Sequence, residues 1–202
     1  MTAAARSQGK WICGWRSRAQ WMTMPACAAL MLCSALLGAS LPLQAQISRT
    51  EEYRLKLAFL YSFAKFVEWP ADAFSSPRAP LTICIVGRDP FDSDLEQQVA
   101  ERSVNGRPYM TRTLRANDDV SGCHIIFLPA GSDSSLPAIL KRVGGSSAII
   151  VGESAGFAHR GGMVNFVVED SRLRFEVNLE ASLRARSRIS SRLLALARIV
   201  RE

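Results

Sequence analysis

Three short apolar runs, separated by segments of other composition, constrain the fold of this chain more than any other feature. They lie at 81–86, 123–128 and 148–151. Largely apolar runs of this length, bounded by turn residues, are typical of strands buried on both faces. Helical segments are predicted between them, at 90–102 and 136–143. The sequence therefore predicts strands and helices that alternate along the chain, which is the pattern of an α/β domain.

Two later segments, 163–168 and 172–179, alternate apolar and polar residues, and Glu169-Asp170-Ser171 joins them. Strict alternation on both sides of a short polar connection predicts an antiparallel hairpin. We therefore expect a single three-layer α/β domain, in which a mixed β-sheet is flanked by helices and ends in a C-terminal antiparallel hairpin.

The first and last helices of the domain are also predicted from spacing. A capping box at Ser48–Glu51 begins a helix that should continue to Trp69, where Pro70 would end it. This helix carries two apolar stripes, so it is either enclosed in the core or also in contact with a second copy, which would make a homodimer. The last helix is predicted to begin at Ile189-Ser190-Ser191 and to place four residues on one side: Leu193, Leu196, Ala197 and Val200.

Residues 1–45 have the pattern of a signal peptide. Basic residues come first, an apolar run follows from about Ala26 to Leu43, and small residues end it near Ala45. A transmembrane anchor is the alternative, but Pro25, Gly38 and Pro42 dilute the apolar run. We therefore expect export to the periplasm, cleavage near Ala45 and a mature domain over 46–202.

Removal of this leader changes what the charge and the cysteines imply. Four of the 25 Lys and Arg residues and none of the 18 Asp and Glu residues precede residue 46, which leaves a net charge of +3. That balance does not indicate nucleic-acid binding. Of the five cysteines, Cys84 and Cys123 remain, and a pair in an exported chain favours a structural disulfide over a metal or redox site.

A G-x-S-x-G match at Gly152–Gly156 raises the possibility of a serine hydrolase. No helix can follow the serine, because Gly161-Gly162 comes too soon after it. His159 follows Ser154 with no acidic residue between them, and His124 lies upstream in a predicted strand. The chain also has no phosphate-binding glycine motif and no zinc spacing. We therefore predict a protein that is not an enzyme and holds no cofactor or metal.

The polar face of the strand at 172–179 is the strongest candidate for a binding site. Arg172, Arg174, Glu176 and Asn178 share this face, and four further arginines follow between 184 and 192. The residues alone leave two possibilities open: a solvated strand face, or a surface that meets an acidic partner or a small anion. In the second case, Trp69, Arg174 and Arg188 are the candidate contacts for a small molecule.

Five segments of the chain, taken in order, resemble the YfiR-like family. They are Phe66-Val67-Glu68-Trp69-Pro70, Val151-Gly152-Glu153-Ser154, Gly161-Gly162-Met163, Arg174-Phe175-Glu176-Val177-Asn178-Leu179 and Ile189-Ser190-Ser191-Arg192-Leu193-Leu194. The resemblance spans about Glu51 to Val200. It implies a periplasmic, non-enzymatic regulator with an α/β fold, often dimeric. Such a regulator binds the periplasmic domain of an inner-membrane diguanylate cyclase, or of another membrane sensor, and holds it inactive.

The resemblance also implies roles for individual residues. Cys84 and Cys123 match the structural disulfide of the family. Glu176 and Asn178 fall on its partner- or ligand-facing segment, with Arg188 close by. The founding member carries a second cysteine pair, and Ala158 and Asn165 stand in those places here. A redox switch based on that second pair is therefore not expected.

Overall fold

The computed structural model describes residues 47–91 and 94–201. The predicted signal peptide lies outside these residues. The described α-helices are α1 (Arg49–Phe63), α2 (Asp94–Ala100), α3 (Leu136–Val143), α4 (Leu179–Arg184) and α5 (Ser191–Leu194). The described strands are β1 (Val67–Glu68), β2 (Leu81–Val86), β3 (Ser103–Val104), β4 (Arg107–Leu114), β5 (Ile125–Leu128), β6 (Ile149–Gly152), β7 (Val164–Glu169), β8 (Arg172–Asn178), β9 (Arg188–Ile189) and β10 (Arg198–Val200).

Eight of the described strands form one mixed sheet in the order β10-β8-β7-β6-β5-β2-β4-β3. The pairs from β7 through β6, β5 and β2 to β4 are parallel. Antiparallel pairs join β7 to β8 and β3 to β4, while β10 is parallel to β8. The strands β1 and β9 form a separate antiparallel ribbon. The predicted fold class, a three-layer α/β domain with a mixed sheet and an antiparallel hairpin, is confirmed.

Two apolar layers cover the two faces of the sheet. One contains Leu57, Leu60 and Phe63 of α1 together with Leu95 and Val99 of α2. The other contains the apolar side of α3 and also Cys84, Cys123 and Phe157. Every residue of β2, β5 and β6 is buried. A strand with a layer on each side is apolar on both faces, which explains the largely apolar runs in the sequence.

The first helix is shorter than the sequence predicted. It begins at the Ser48 cap, whose side chain accepts from the Glu51 N–H, but it ends at Phe63 rather than near Trp69. A 3-10 turn at Ala64–Phe66 follows, and Val67 and Glu68 then pair with Ile189 and Arg188. The prediction relied on Pro70 as the stop signal, but a tertiary strand pairing ends the helix six residues sooner.

The predicted last helix is wrong for most of its length. Only Ser191–Leu194 is helical, and Arg198–Val200 forms a parallel edge strand on β8. Leu196, expected on an apolar helix face, is 72% exposed. Here the pairing of residues 198–200 with the open edge of the sheet outweighs the helical tendency that the apolar spacing indicates.

No helix among the described residues is long and apolar enough to span a bilayer. Their His, Cys, Asp and Glu side chains also form no group of three that could hold a metal ion.

Candidate functional site

The hairpin of β7 and β8 places two of the predicted site residues, Arg174 and Glu176, on one face of the sheet. Its register pairs Asn165 with Glu176, Val167 with Arg174, and Glu169 with Arg172. Cross-strand partners lie on the same face, so the polar face predicted from alternation is present. Arg198 of β10 pairs with Glu176 and adds a further cation to this face.

Glu176 is the buried centre of this polar face, with 6% of its surface exposed. Its carboxylate accepts from Asn165 Nδ2 at 3.0 Å and forms an ion pair with Arg198, which also bridges to Glu169. Burial, the largest single influence, raises the pKa of the Glu176 carboxyl. The hydrogen bonds from Asn165 and Arg198 and the charge of Arg198 outweigh burial, so the pKa lies below its ordinary value.

Arg174 is the exposed member of the predicted set. Half of its side chain is accessible, and its guanidinium lies 3.9 Å from the Glu169 carboxylate. It lines a groove of about 530 Å³ between α1, the hairpin and residues 195–198. The other residues that line this groove are Phe59, Val167, Glu169, Arg172, Leu173, Phe175, Ala195, Leu196, Ala197 and Arg198.

Asn178 is fully buried and has a structural task. Its Oδ1 accepts from the Ala181 N–H at 2.9 Å and so caps α4, while its Nδ2 donates to the Ala158 carbonyl at 2.6 Å. These bonds fix the end of β8 to the turn before β7. Asn178 therefore shapes the hairpin from inside and presents no side-chain atom to solvent.

Trp69 and Arg188 lie together, but away from the hairpin face. Arg188 belongs to β9 and pairs with Glu68, the neighbour of Trp69. The Trp69 ring packs edge-on against Phe74 and His124, with centroids 6.4 and 5.6 Å away. The sequence-predicted contacts thus fall into two places: Arg174 and Glu176 on the hairpin, and Trp69 and Arg188 at the β1–β9 ribbon.

Sequence reasoning missed Arg198 and Leu196 as members of the hairpin site. Both were assigned to a C-terminal helix, whereas residues 198–200 pair with β8 as a strand. The missed signal was the short run Arg198-Ile199-Val200, a polar residue followed by two β-branched residues.

The disulfide between Cys84 and Cys123 is present, with Cα atoms 5.8 Å apart. Cys84 lies in β2, and Cys123 lies just before β5, the parallel neighbour of β2. Both cysteines are buried in the apolar layer that contains α3. This position ties two central strands together inside the core.

Ser154 has no histidine partner among the described residues. His124 Nδ1 accepts from the Thr82 N–H, and His159 Nδ1 lies 2.8 Å from the Arg201 carbonyl. Gly152, which begins the motif, and Gly162, which lies after it, have a packing role instead. A Cβ added to Gly152 or to Gly162 would overlap the Phe157 ring, which is buried between them. The motif therefore belongs to a turn that packs around the Phe157 ring, and it does not form a nucleophile elbow.

Comparison with known protein families assigns this chain to a family over most of its described residues. The family model described as YfiR/HmsC-like matches residues 53–198. The chain belongs to the YfiR/HmsC-like family. Members of this family are periplasmic, non-enzymatic regulators of diguanylate cyclase signalling. The matched range contains the hairpin, the groove, the ribbon and the disulfide of this family member.

None of the curated proteins matches the chain at a significant level. Among solved structures, it is similar to the ABC domain in complex with L-Trp from Streptococcus pneumonia, with 14% identity and a TM-score of 0.45. The likeness covers 59% of this chain and 55% of that chain.

Proposed function

We propose that this YfiR/HmsC-like protein binds the periplasmic domain of an inner-membrane diguanylate cyclase and holds the enzyme inactive. Membership of the family over residues 53–198 supports this proposal most directly. Binding would shift a two-state membrane protein toward its inactive form, which requires tighter binding to that form than to the active one. In cells, the result would be a lower level of cyclic di-GMP.

The groove beside the β7–β8 hairpin is the contact surface that we propose. It combines three arginines, Arg172, Arg174 and Arg198, with an exposed leucine, Leu196. Ile199 and Val168, close to it on β10 and β7, are 45% and 44% exposed. Arginine beside exposed apolar side chains is a composition enriched in protein interfaces. An acidic patch with an apolar centre is the complementary surface on the partner.

In this proposal Glu176 and Asn178 are positioning residues. Glu176 holds Arg198 on the face, and Asn178 fixes the end of β8.

Trp69 and Arg188 remain predicted contacts at the ribbon, and a homodimer remains a prediction. Leu55 of α1, which is 37% exposed, supports a dimer through the outer stripe of this helix.

The test is complementation of a strain that lacks the protein. Deletion should raise cyclic di-GMP, and the wild-type gene should restore the low level. We expect Leu196→Asp and Arg174→Glu each to abolish at least half of this repression, because each places the wrong polarity or charge in the groove. The exported amount of each variant is measured in the same cells.

Two matched substitutions serve as controls. Leu183→Asp changes a leucine of similar exposure, 75%, on α4. Arg78→Glu changes an exposed arginine in the loop before β2. Both controls should repress like wild type. Unchanged cyclic di-GMP after deletion would overturn the cyclase as the target, and full repression by both groove variants would overturn the groove as the contact.

A further inference from the structure

A crevice lies at the one place in the parallel part of the described sheet where the direction of winding reverses. From β2 the chain passes to β4 on one side, and it then returns to β5 on the other side of β2. In open α/β sheets, such a switch point separates the loops at the carboxyl ends of two neighbouring strands. Small molecules bind preferentially in the gap between those loops.

The helices after β2 and β5 confirm that the loops part here. Leu95 and Val99 of α2 belong to the layer that contains α1, whereas Leu136 and Ile139 of α3 belong to the opposite layer. The connections therefore leave toward opposite faces of the sheet. Between them is a crevice of about 550 Å³, which is within the range of volumes that hold small ligands.

A buried carboxylate holds the walls of this crevice in place. Glu153, whose side chain is 2% exposed, accepts from the Tyr53 hydroxyl at 2.9 Å and from the Ala130 N–H at 2.6 Å. It also forms an ion pair with Lys56 at 2.5 Å. These contacts join α1 to the loop that follows β5. The crevice is therefore formed before any ligand arrives, which lowers the entropic cost of binding.

The two loops also approach each other directly at the residue that precedes Arg88. Gly87, the first residue after β2, has φ +101°. A Cβ at this position would overlap the side chain of Ser132, in the loop that follows β5. The chain therefore requires glycine here for two reasons, a left-handed backbone and a close approach.

The lining of the crevice combines positive charge with an aromatic wall. Arg49 and Arg54 of α1 and Arg88 of the loop after β2 reach it from two sides. The ring of Tyr53 forms the wall, and it is held edge-to-face against the buried ring of Phe91, with centroids 5.8 Å apart. An arginine beside an aromatic wall suits a planar ligand that carries a negative group.

The acidic residues of the crevice offset only part of this charge, because three arginines and two aspartates line it. Asp89 accepts from the Phe91 N–H at 2.8 Å and is thus occupied in shaping the loop. Asp94, in the first turn of α2, is the other acidic residue of the lining. Within residues 47–91 and 94–201, no ion pair or hydrogen bond engages the guanidinium of Arg54 or Arg88. These two arginines are the groups available to an anion.

We infer that this crevice binds a small organic anion, with a carboxylate or phosphate group at Arg54 and Arg88 and a planar apolar body against the ring of Tyr53. The site is separate from the hairpin groove and does not depend on the proposed function.

Calorimetric titration of the purified protein with phenyl phosphate tests the inference. Phenyl phosphate should bind at least about tenfold more tightly than inorganic phosphate or benzyl alcohol, since each of these fills only half of the site. Arg54→Gln and Arg88→Gln should each weaken binding by about five- to tenfold, because each removes one charge-assisted contact. Benzoate, titrated in parallel, distinguishes a carboxylate site from a phosphate site.

Arg78→Gln, an exposed arginine outside the crevice, is the matched control and should leave the affinity unchanged. Thermal unfolding of all three variants verifies that they fold, since each substitution is at an exposed position. Equal affinities for phenyl phosphate and inorganic phosphate, or undiminished binding by both crevice variants, would overturn the inference. So would the absence of binding by phenyl phosphate and by benzoate at about 10 mM.

Discussion

The Glu176 carboxylate links the stability of the hairpin to pH. Its folded-state pKa is lowered, so it stabilises the fold fully above the pH at which it ionises in the unfolded chain. That contribution is lost as the pH falls through the lowered folded pKa. Glu176→Gln should therefore lower the free energy of unfolding by about 1 kcal/mol at pH 7. The deficit should shrink as the pH falls and the carboxyl takes up a proton, first in the unfolded chain and then in the folded one, as measured by urea unfolding at each pH.

Glu101→Gln, at an exposed position outside this network, is the control for the loss of one negative charge. Its unfolding free energy should follow that of the wild type across the same pH series. A Glu176→Gln deficit that stays constant from pH 7 to pH 3 would contradict the role of ionisation, and would assign the loss to packing instead.

The Phe157 ring makes a single methyl group costly at Gly162. A Cβ at this position would overlap the ring, and the ring is fully buried with Gly152 on its other side. Gly162→Ala should therefore destabilise the protein by about 1–3 kcal/mol, as measured by urea unfolding. Gly144→Ala, where a Cβ would meet only ordinary contacts, should change stability far less. An equal effect at the two positions would contradict this account of the Gly-Gly-Met segment.

At the scale of elements, the sequence predicted those parts of the fold whose local pattern agrees with their tertiary setting. The strands β2, β5 and β6 are buried throughout and almost entirely apolar, and helix α3 has the predicted bounds, Leu136–Val143. The alternation in β7 and β8 correctly placed Arg174 and Glu176 on one face. In each case, the residues that form the element also specify its neighbours.

The elements that the sequence did not predict are those formed by long-range pairing. The β1–β9 ribbon joins Val67 to Ile189, and its strands are too short to show a period. Strand β10 interrupts an apolar pattern with helical spacing, because an edge of β8 was available for pairing. Propensity is a weak prior wherever such pairing competes with it. The predicted site therefore lacked Arg198, which reaches Glu176 only through this pairing.

At the scale of the whole molecule, the two proposed surfaces lie on different parts of one sheet. The crevice is at the carboxyl ends of β2 and β5, and the groove runs beside β8 and β10. Strand β7 and the Glu153 segment lie between them, and Glu153 contacts α1, which contributes Tyr53 to the crevice and Phe59 to the groove. One helix therefore touches both surfaces. A ligand that shifts α1 would also move the part of this helix that lines the groove. This gives a physical route for a small molecule to influence partner binding.

The disulfide restrains the same sheet from its centre, and its removal tests what the partner surface requires. Cys84 and Cys123 are 39 residues apart, so the closed loop should stabilise the fold by about 2–4 kcal/mol. The double variant Cys84→Ala/Cys123→Ala should lose this amount in urea unfolding, and reductant should no longer affect it. At a temperature where the variant stays folded, it should still repress cyclic di-GMP, because the groove lies on β8 and β10 rather than on β2. Loss of repression by a folded variant would mean that the central strands transmit their position to the groove, and that the fold acts as one unit in binding its partner.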